Sequence, residues 1–107
     1  MGKATILSVV NTIYETAKDG GAYSKFYEQY KDVYLPGLRR AAKSFEEVIA
    51  EHEKWIKNPS LKLKNTDDLH YVKRYTEKKW PRDIARNSAY KSIIEGIIEE
   101  RENGKTK

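Results

Sequence analysis

Histidine is the side chain best suited to proton transfer near neutral pH, and the 107-residue chain contains two histidines. His52 lies within an apolar repeat, between Ile49 and Ile56. Its ring can be structural and donate to a backbone carbonyl, or it can act as a general acid or base. His70 lies in a basic segment, where a solvated or phosphate-facing role is expected.

A catalytic histidine needs partners, and the basic residues earlier in its own helix lie roughly two to four turns away. Partners must therefore come from another helix. Arg82, Asp83 and Arg86, at the start of the predicted last helix, are the candidates. With His52 they form the predicted catalytic set. These residue types can supply what a metal-free ribonuclease needs: a base for the 2′-hydroxyl, an acid for the leaving oxygen and a cation for the phosphorane.

Several kinds of site are not expected. The chain has no cysteine, which excludes disulfides and thiolate metal sites, and two histidines are too few for a structural zinc site. The sequence also contains no glycine-rich phosphate loop and no nucleophile elbow around a serine. We therefore expect no metal and no cofactor.

The net charge of +5 is unevenly distributed. Residues Lys54 to Lys91 contain eleven basic and four acidic side chains, a net charge of +7, whereas the segments before and after each carry −1. Tryptophans and tyrosines interrupt this basic segment, a combination that suits phosphate neutralisation and base stacking. The alternative is that these charges only keep the domain soluble. The residues predicted to bind nucleic acid are Lys62, Lys64, Lys73, Arg74, Lys78, Lys79 and Lys91.

Apolar residues recur every three or four positions through most of the chain, which predicts an all-α fold, a compact bundle of four to five helices. The first helix should end at Gly20-Gly21. The second, rich in tyrosine, should run until Leu35-Pro36-Gly37, and its aromatic strip is interpreted as core rather than as a stacking surface. The third should begin at Leu38 and stop at Asn58-Pro59, and Phe45→Ala or Ile49→Ala within it should cost about 2–5 kcal/mol.

After the third helix, a loop is predicted to turn Leu61 and Leu63 inward, and Thr66 is predicted to cap a fourth helix. That helix should stop before Trp80-Pro81, since proline is tolerated at the start of a helix but not inside one. The last helix should end at Asn103-Gly104. We predict one helical domain over residues 1-104 and a disordered basic tail over residues 105-107.

No apolar run approaches the roughly 18–20 residues needed to cross a bilayer, so no membrane association is expected and a cytoplasmic location is predicted.

Two stretches resemble small C-terminal effector modules of bacterial polymorphic toxins, of the contact-dependent inhibition, Rhs and LXG types. The first runs from Lys43-Ser44-Phe45-Glu46 through Glu51-His52 to Ile56-Lys57-Asn58-Pro59, and the second begins at Lys79-Trp80-Pro81. The resemblance covers roughly residues 16–99. Where the family pattern often has a lysine three residues after the histidine, this chain has Trp55. If that lysine is catalytic in the family, this copy is either impaired or uses Lys54 instead.

The resemblance implies a domain that acts in the cytoplasm of a target bacterium and that a cognate immunity protein neutralises. The resemblance does not specify a reaction, and a basic, cysteine-free effector is compatible with RNA or DNA as its target. We expect a toxin-like effector acting on nucleic acid, RNA in preference to DNA, with metal-independent ribonuclease chemistry. Two alternatives stay open: a helical module that binds nucleic acid without cleaving it, or an immunity protein or other protein-binding partner. The basic pI near 9.3 argues against neutralisation of a basic nuclease.

Overall fold

The computed structural model describes residues 11–105. The first helix, α1, spans Thr12–Lys18, and α2 spans Ser24–Tyr30. Between them Gly20 adopts a φ of +95°, a left-handed conformation that suits glycine. The first helix thus ends at Lys18, just before the predicted stop at Gly20-Gly21. The predicted apolar residues before position 11 lie outside the described residues.

The next helix, α3, spans Leu35–Lys57. The prediction that Leu35-Pro36-Gly37 ends α2 was therefore wrong, because α2 stops at Tyr30 and these residues begin α3. Proline is accepted in the first turn of a helix, where its missing N–H has no partner to lose. The far end of α3 agrees with the predicted stop at Asn58-Pro59.

A short 3₁₀ turn, Pro59–Leu61, follows α3. The prediction of two inward leucines was half wrong, since Leu63 is buried but Leu61 is 61% exposed. The predicted cap at Thr66 was also wrong. Asp68 precedes the next helix, α4, which spans Leu69–Lys73, and the Asp68 carboxylate accepts a hydrogen bond from the backbone N–H of Tyr71 at 3.1 Å.

The chain stays helical through Trp80-Pro81, so the predicted break at this position was wrong. A π-helical segment, Arg74–Lys79, joins α4 directly to α5, which spans Trp80–Lys105. The N–H of Trp80 donates to the carbonyl of Tyr75, five residues earlier. This wider turn just before the proline accommodates its ring and its missing N–H, so the helix continues.

The last helix also extends past Asn103-Gly104, where it was predicted to end, to Lys105. Lys105 is therefore helical rather than part of a disordered tail, and the remaining tail residues lie outside the described residues. The described residues contain helices and no strand. The prediction of an all-α fold with four to five helices is confirmed.

The chain divides into two compact units. The middle unit is Ser44–Ser88, and the terminal unit comprises the described residues up to Lys43 and from Ala89 onward. The prediction of one domain over residues 1-104 stays a prediction.

The core of the terminal unit is aliphatic, with Leu38, Ile93 and Ile94 fully buried. The ring of Tyr14 lies directly against Gly96, where a larger residue would collide with it. The Tyr14 hydroxyl donates to Glu100, which also pairs with Lys18. Burial, reinforced by the Glu100 carboxylate, raises the pKa of Tyr14. The interior of the terminal unit is therefore closely packed and mostly apolar.

Candidate active site in the middle unit

His52 is held by its own helix. Its Nδ1 lies 2.9 Å from the carbonyl oxygen of Val48, one turn earlier in α3. Because a carbonyl only accepts, Nδ1 must carry the hydrogen, and Nε2 is the nitrogen left to exchange a proton. Nε2 lies 3.5 Å from Oδ2 of Asp83. In the neutral ring Nε2 carries no hydrogen and makes no ordinary hydrogen bond with the carboxylate at this distance, so its lone pair is left to accept a proton.

Asp83 lies in the first turn of α5 and is only 7% exposed. Lys79 Nζ lies 3.0 Å from its Oδ2, and Arg86 Nη2 lies 3.0 Å from its Oδ1. Burial alone would raise the pKa of Asp83, but the hydrogen bond from Lys79 and the positive charges of Lys79 and Arg86 outweigh it and lower the pKa. The carboxylate is therefore ionised at neutral pH.

This cluster has a charge imbalance. One carboxylate faces two cations, the Lys79 ammonium and the Arg86 guanidinium, so the group is positive even when His52 is neutral. Both cations are about half exposed, with side-chain exposures of 56% and 46%. Their outer N–H groups can therefore reach an incoming anion. A phosphate is the anion for which such a pair of donors is suited.

Aromatic rings form the walls beside the cluster. The ring centroid of Trp55 lies 4.5 Å from that of His52 and 5.6 Å from that of Trp80. Tyr75 contacts Trp80 at 5.5 Å and Tyr71 at 5.2 Å. The cavity they enclose with the charged residues measures about 450 Å³, within the range of about 300–1,000 Å³ typical of ligand sites. Its lining is His52, Trp55, Lys62, Leu63, Tyr71, Tyr75, Lys79, Trp80 and Asp83.

A larger groove of about 640 Å³ follows α3 in the same unit. Glu47 and Glu51 line it, together with Lys54. Its two carboxylates would repel a phosphate, and it contains no histidine. We therefore place the candidate site in the smaller cavity around His52.

The four predicted catalytic residues divide into three groups. His52 and Asp83 line the cavity together. Arg86 pairs with Asp83 at the edge of the cavity. Arg82 is exposed and is not among the lining residues, although it neighbours Asp83 in sequence. Their roles in catalysis stay predictions.

The residues predicted to bind nucleic acid are more dispersed. Lys62 and Lys79 line the cavity, whereas Lys73, Arg74 and Lys78 line a separate groove of about 290 Å³. Lys64 is exposed in the loop before α4. Lys91 belongs to the terminal unit, where its Nζ lies 3.7 Å from Glu95.

The middle unit is less basic than the segment Lys54 to Lys91. It contains ten basic and eight acidic residues, a net charge of +2, because it adds four glutamates from the exposed face of α3 and leaves out Lys91. A uniformly basic face over the whole unit is therefore not supported. The positive charge that matters for the site is local to Lys62, Lys79 and Arg86.

Sequence reasoning did not identify three aromatic residues that line the cavity, Tyr71, Tyr75 and Trp80. The sequence placed Trp80 at a predicted helix break, Tyr75 in the apolar stripe of the fourth helix, and Tyr71 only among the aromatic residues of the basic segment. The spacing of Tyr71 and Tyr75, four residues apart on one helix, could have indicated a shared face. Tyr90, another aromatic residue of the basic segment, stacks on Phe26 in the terminal unit, with ring centroids 4.2 Å apart.

Among the described residues, no group of three or more potential metal ligands comes together. Within that same part of the chain, none of the helices is both long and apolar enough to cross a membrane. The chain matches no protein-family model, no curated protein and no solved structure.

Proposed function

We propose that the chain is a toxin-like effector domain that cleaves RNA through the cavity around His52. The observation that carries this proposal is that His52, the buried Asp83 carboxylate and Lys79 line one aromatic-walled cavity, while Arg86 pairs with the same carboxylate. Attack of an RNA 2′-hydroxyl on the adjacent phosphorus requires a group that accepts the hydroxyl proton and positive charge beside the phosphate.

The reaction uses only side chains. His52 Nε2 takes the proton of the RNA 2′-hydroxyl as that oxygen bonds to the adjacent phosphorus. The bond from phosphorus to the 5′ oxygen then breaks, leaving a 2′,3′-cyclic phosphate, and the 5′ oxygen takes a proton from the Lys79 ammonium. Asp83 stabilises the imidazolium formed on His52, and Arg86 adds positive charge beside the phosphate.

The resemblance to polymorphic-toxin effectors supports the same function, including action in the cytoplasm of a target bacterium and neutralisation by an immunity protein. Trp55 stands where that family often has a lysine. In this chain the Lys62 ammonium lies 4.9 Å from the centroid of the Trp55 ring. An ammonium group therefore reaches the same neighbourhood from a different position in the sequence, and the departure does not leave the site without one.

A helical module that binds nucleic acid without cleaving it is the second candidate. The groove lined by Lys73, Arg74 and Lys78 favours it, because three cations lie together there away from His52. This candidate predicts binding that weakens steeply with salt, with no cleavage.

The deciding experiment combines inducible expression in a bacterium with incubation of the purified protein and single-stranded RNA. The proposal predicts slowed growth, fragmented RNA and fragments that end in a 2′,3′-cyclic phosphate. His52→Gln should abolish all three effects while the thermal stability stays near that of the wild type.

His70→Gln is the matched control for the chemical step, since it makes the same change at the only other histidine, which lies outside this cavity and lines the separate groove with Lys73 and Arg74. It should keep activity. If His52→Gln fails to fold, Lys79→Gln changes an exposed side chain and should still reduce cleavage. Intact RNA with the wild-type protein, or full activity of His52→Gln, would overturn the assignment.

A further inference from the structure

We infer that the cavity receives an unpaired nucleobase, stacked on Trp55, so that the substrate is a single-stranded nucleic acid; this inference rests on the proposed function and names its substrate class. The observation behind it is the position of Lys62, whose Nζ lies over the Trp55 ring at 4.9 Å from the centroid. Lys62 is exposed and comes from the loop after α3, so its side chain can move away.

Lys62 therefore covers the face that a base would use. A cation over a tryptophan face is held by the ring quadrupole, and exposed examples contribute only about 0.5–1 kcal/mol. A nucleobase would replace this weak contact with stacking, which is worth more and accepts any base. The displaced ammonium could then pair with the phosphate attached to that base.

The other lining residues fit the same ligand. Trp80 and Tyr75 contact each other beside Trp55, and they form an apolar wall against which the edge of a planar ring can rest. Lys79, which also lines the cavity, and Arg86 both pair with the Asp83 carboxylate and expose their outer donors. A base against the rings and a phosphate beside the cations would occupy both halves of the site.

A base paired within a duplex cannot enter this arrangement, because both of its faces are covered by neighbouring base pairs. Duplex nucleic acid would offer only its phosphates to Lys62 and Lys79. The inferred preference is thus for single strands, and it is independent of the sugar, because stacking uses the base.

The chain provides its own reporter for this inference. It contains two tryptophans, Trp55 and Trp80, and both line the cavity. Titration with an oligodeoxythymidylate should quench the intrinsic tryptophan fluorescence. A DNA strand lacks the 2′-hydroxyl, so its binding is measured without cleavage, and an oligouridylate used in parallel shows whether RNA binds in the same way.

Three probes separate stacking from charge. Quenching should be strong with oligodeoxythymidylate and weak with a fully paired DNA duplex or with inorganic polyphosphate at the same ionic strength. Equal quenching and affinity for polyphosphate would overturn the inference. An absence of binding to both single strands at low salt would do the same.

Variants locate the contact. Trp55→Leu should weaken oligodeoxythymidylate binding roughly 5- to 100-fold, because the stacking surface is lost, and Trp55→Phe should restore part of that loss. In both variants Trp80 remains as the reporter, and anisotropy of a labelled strand gives the affinity. Wild-type affinity in both variants would exclude stacking on Trp55, and the more conservative Trp55→Phe keeps the test available if Trp55→Leu does not fold.

A matched pair of lysine variants tests the role of Lys62, which covers the Trp55 ring. Lys62→Ala should lower the salt dependence of oligonucleotide binding by about one phosphate contact. Lys57→Ala, at the end of α3, removes an equal charge outside the cavity lining and should leave the salt dependence unchanged. Identical behaviour of the two variants would show that Lys62 has no special position.

The two proposals fail in different ways. If DNA and RNA strands quench the fluorescence but RNA stays intact, the base-binding cavity stands and the ribonuclease proposal falls. If RNA is cleaved while neither strand quenches the fluorescence and Trp55→Leu stays fully active, the ribonuclease proposal stands and this inference falls.

Discussion

The terminal unit fills its interior with aliphatic side chains, whereas the middle unit places a carboxylate among aromatic rings. Leu38, Ile93 and Ile94 are fully buried in the first, while the buried residues of the second are Leu63, Trp80 and Asp83. Apolar burial is the main source of folding stability, and a buried charge requires partners to be tolerated. The middle unit therefore has less apolar packing than the terminal unit and contains a buried charge, which is the trade that the proposed function would require.

The largest expected difference between the units comes from one substitution made in each. Ile94→Ala in the terminal unit removes a fully buried side chain and should lower the free energy of unfolding by about 2–5 kcal/mol. Ile49→Ala in the middle unit removes a half-buried one and should cost only about 1–2 kcal/mol, less than the sequence alone predicts. Urea denaturation measures both. Equal costs would mean that the two interiors are equally well packed.

A glycine pair tests how close the terminal packing is. Gly96→Ala places a methyl group against the ring of Tyr14 and should cost about 1–3 kcal/mol. Gly104→Ala lies on the same helix with nothing within 4 Å of the added carbon, so it should stabilise the protein by up to about 1 kcal/mol through helix propensity. Thermal melts of the two variants should move in opposite directions, and a shift in the same direction would contradict the close contact.

The smallest expected effect concerns the buried carboxylate of the middle unit. Asp83→Asn should cost about 1 kcal/mol at neutral pH, because Lys79 and Arg86 are half exposed and can turn to water when the charge is lost. The folded-state pKa of Asp83 is lowered. Its contribution is therefore complete above the usual aspartate pKa of about 3.9 and is lost as the pH falls through the lower folded value.

Urea denaturation of wild type and Asp83→Asn at neutral and acidic pH checks this sign. The difference in unfolding free energy between the two proteins should shrink on acidification. A difference that stays constant down to low pH would show that the carboxylate charge contributes nothing to stability.

Much of the fold follows from local sequence signals. The apolar period of α3 and its stop at Asn58-Pro59 are properties of one helix and its next residues, so the sequence predicts them directly. The continuation through Pro81 could not be predicted in this way. It depends on a π turn whose hydrogen bonds compensate for the proline, and neither periodicity nor propensity encodes that turn.

The site was predictable in part for the same reason. His52 stood out because it interrupts an apolar period, and Asp83 and Arg86 because partners had to come from another helix. Lys79 was assigned only to phosphate binding, and its contact with Asp83 follows from their spacing of four residues in a helix that the sequence had divided. The walls formed by Trp80 and Tyr75 depend on that same undivided helix.

The π turn at Arg74–Lys79 has a consequence for the phase of the helix. A turn closed by a bond over five residues holds one residue more than an α turn, so it rotates everything after it by about 100° relative to an uninterrupted α-helix. Tyr71 and Tyr75 precede or lie within the turn, and Trp80 and Asp83 follow it. All four line one cavity at this phase. Removal of one residue from the π turn would leave an ordinary α turn with the same phase, whereas an uninterrupted α-helix of the present length would turn Trp80 and Asp83 away from the two tyrosines.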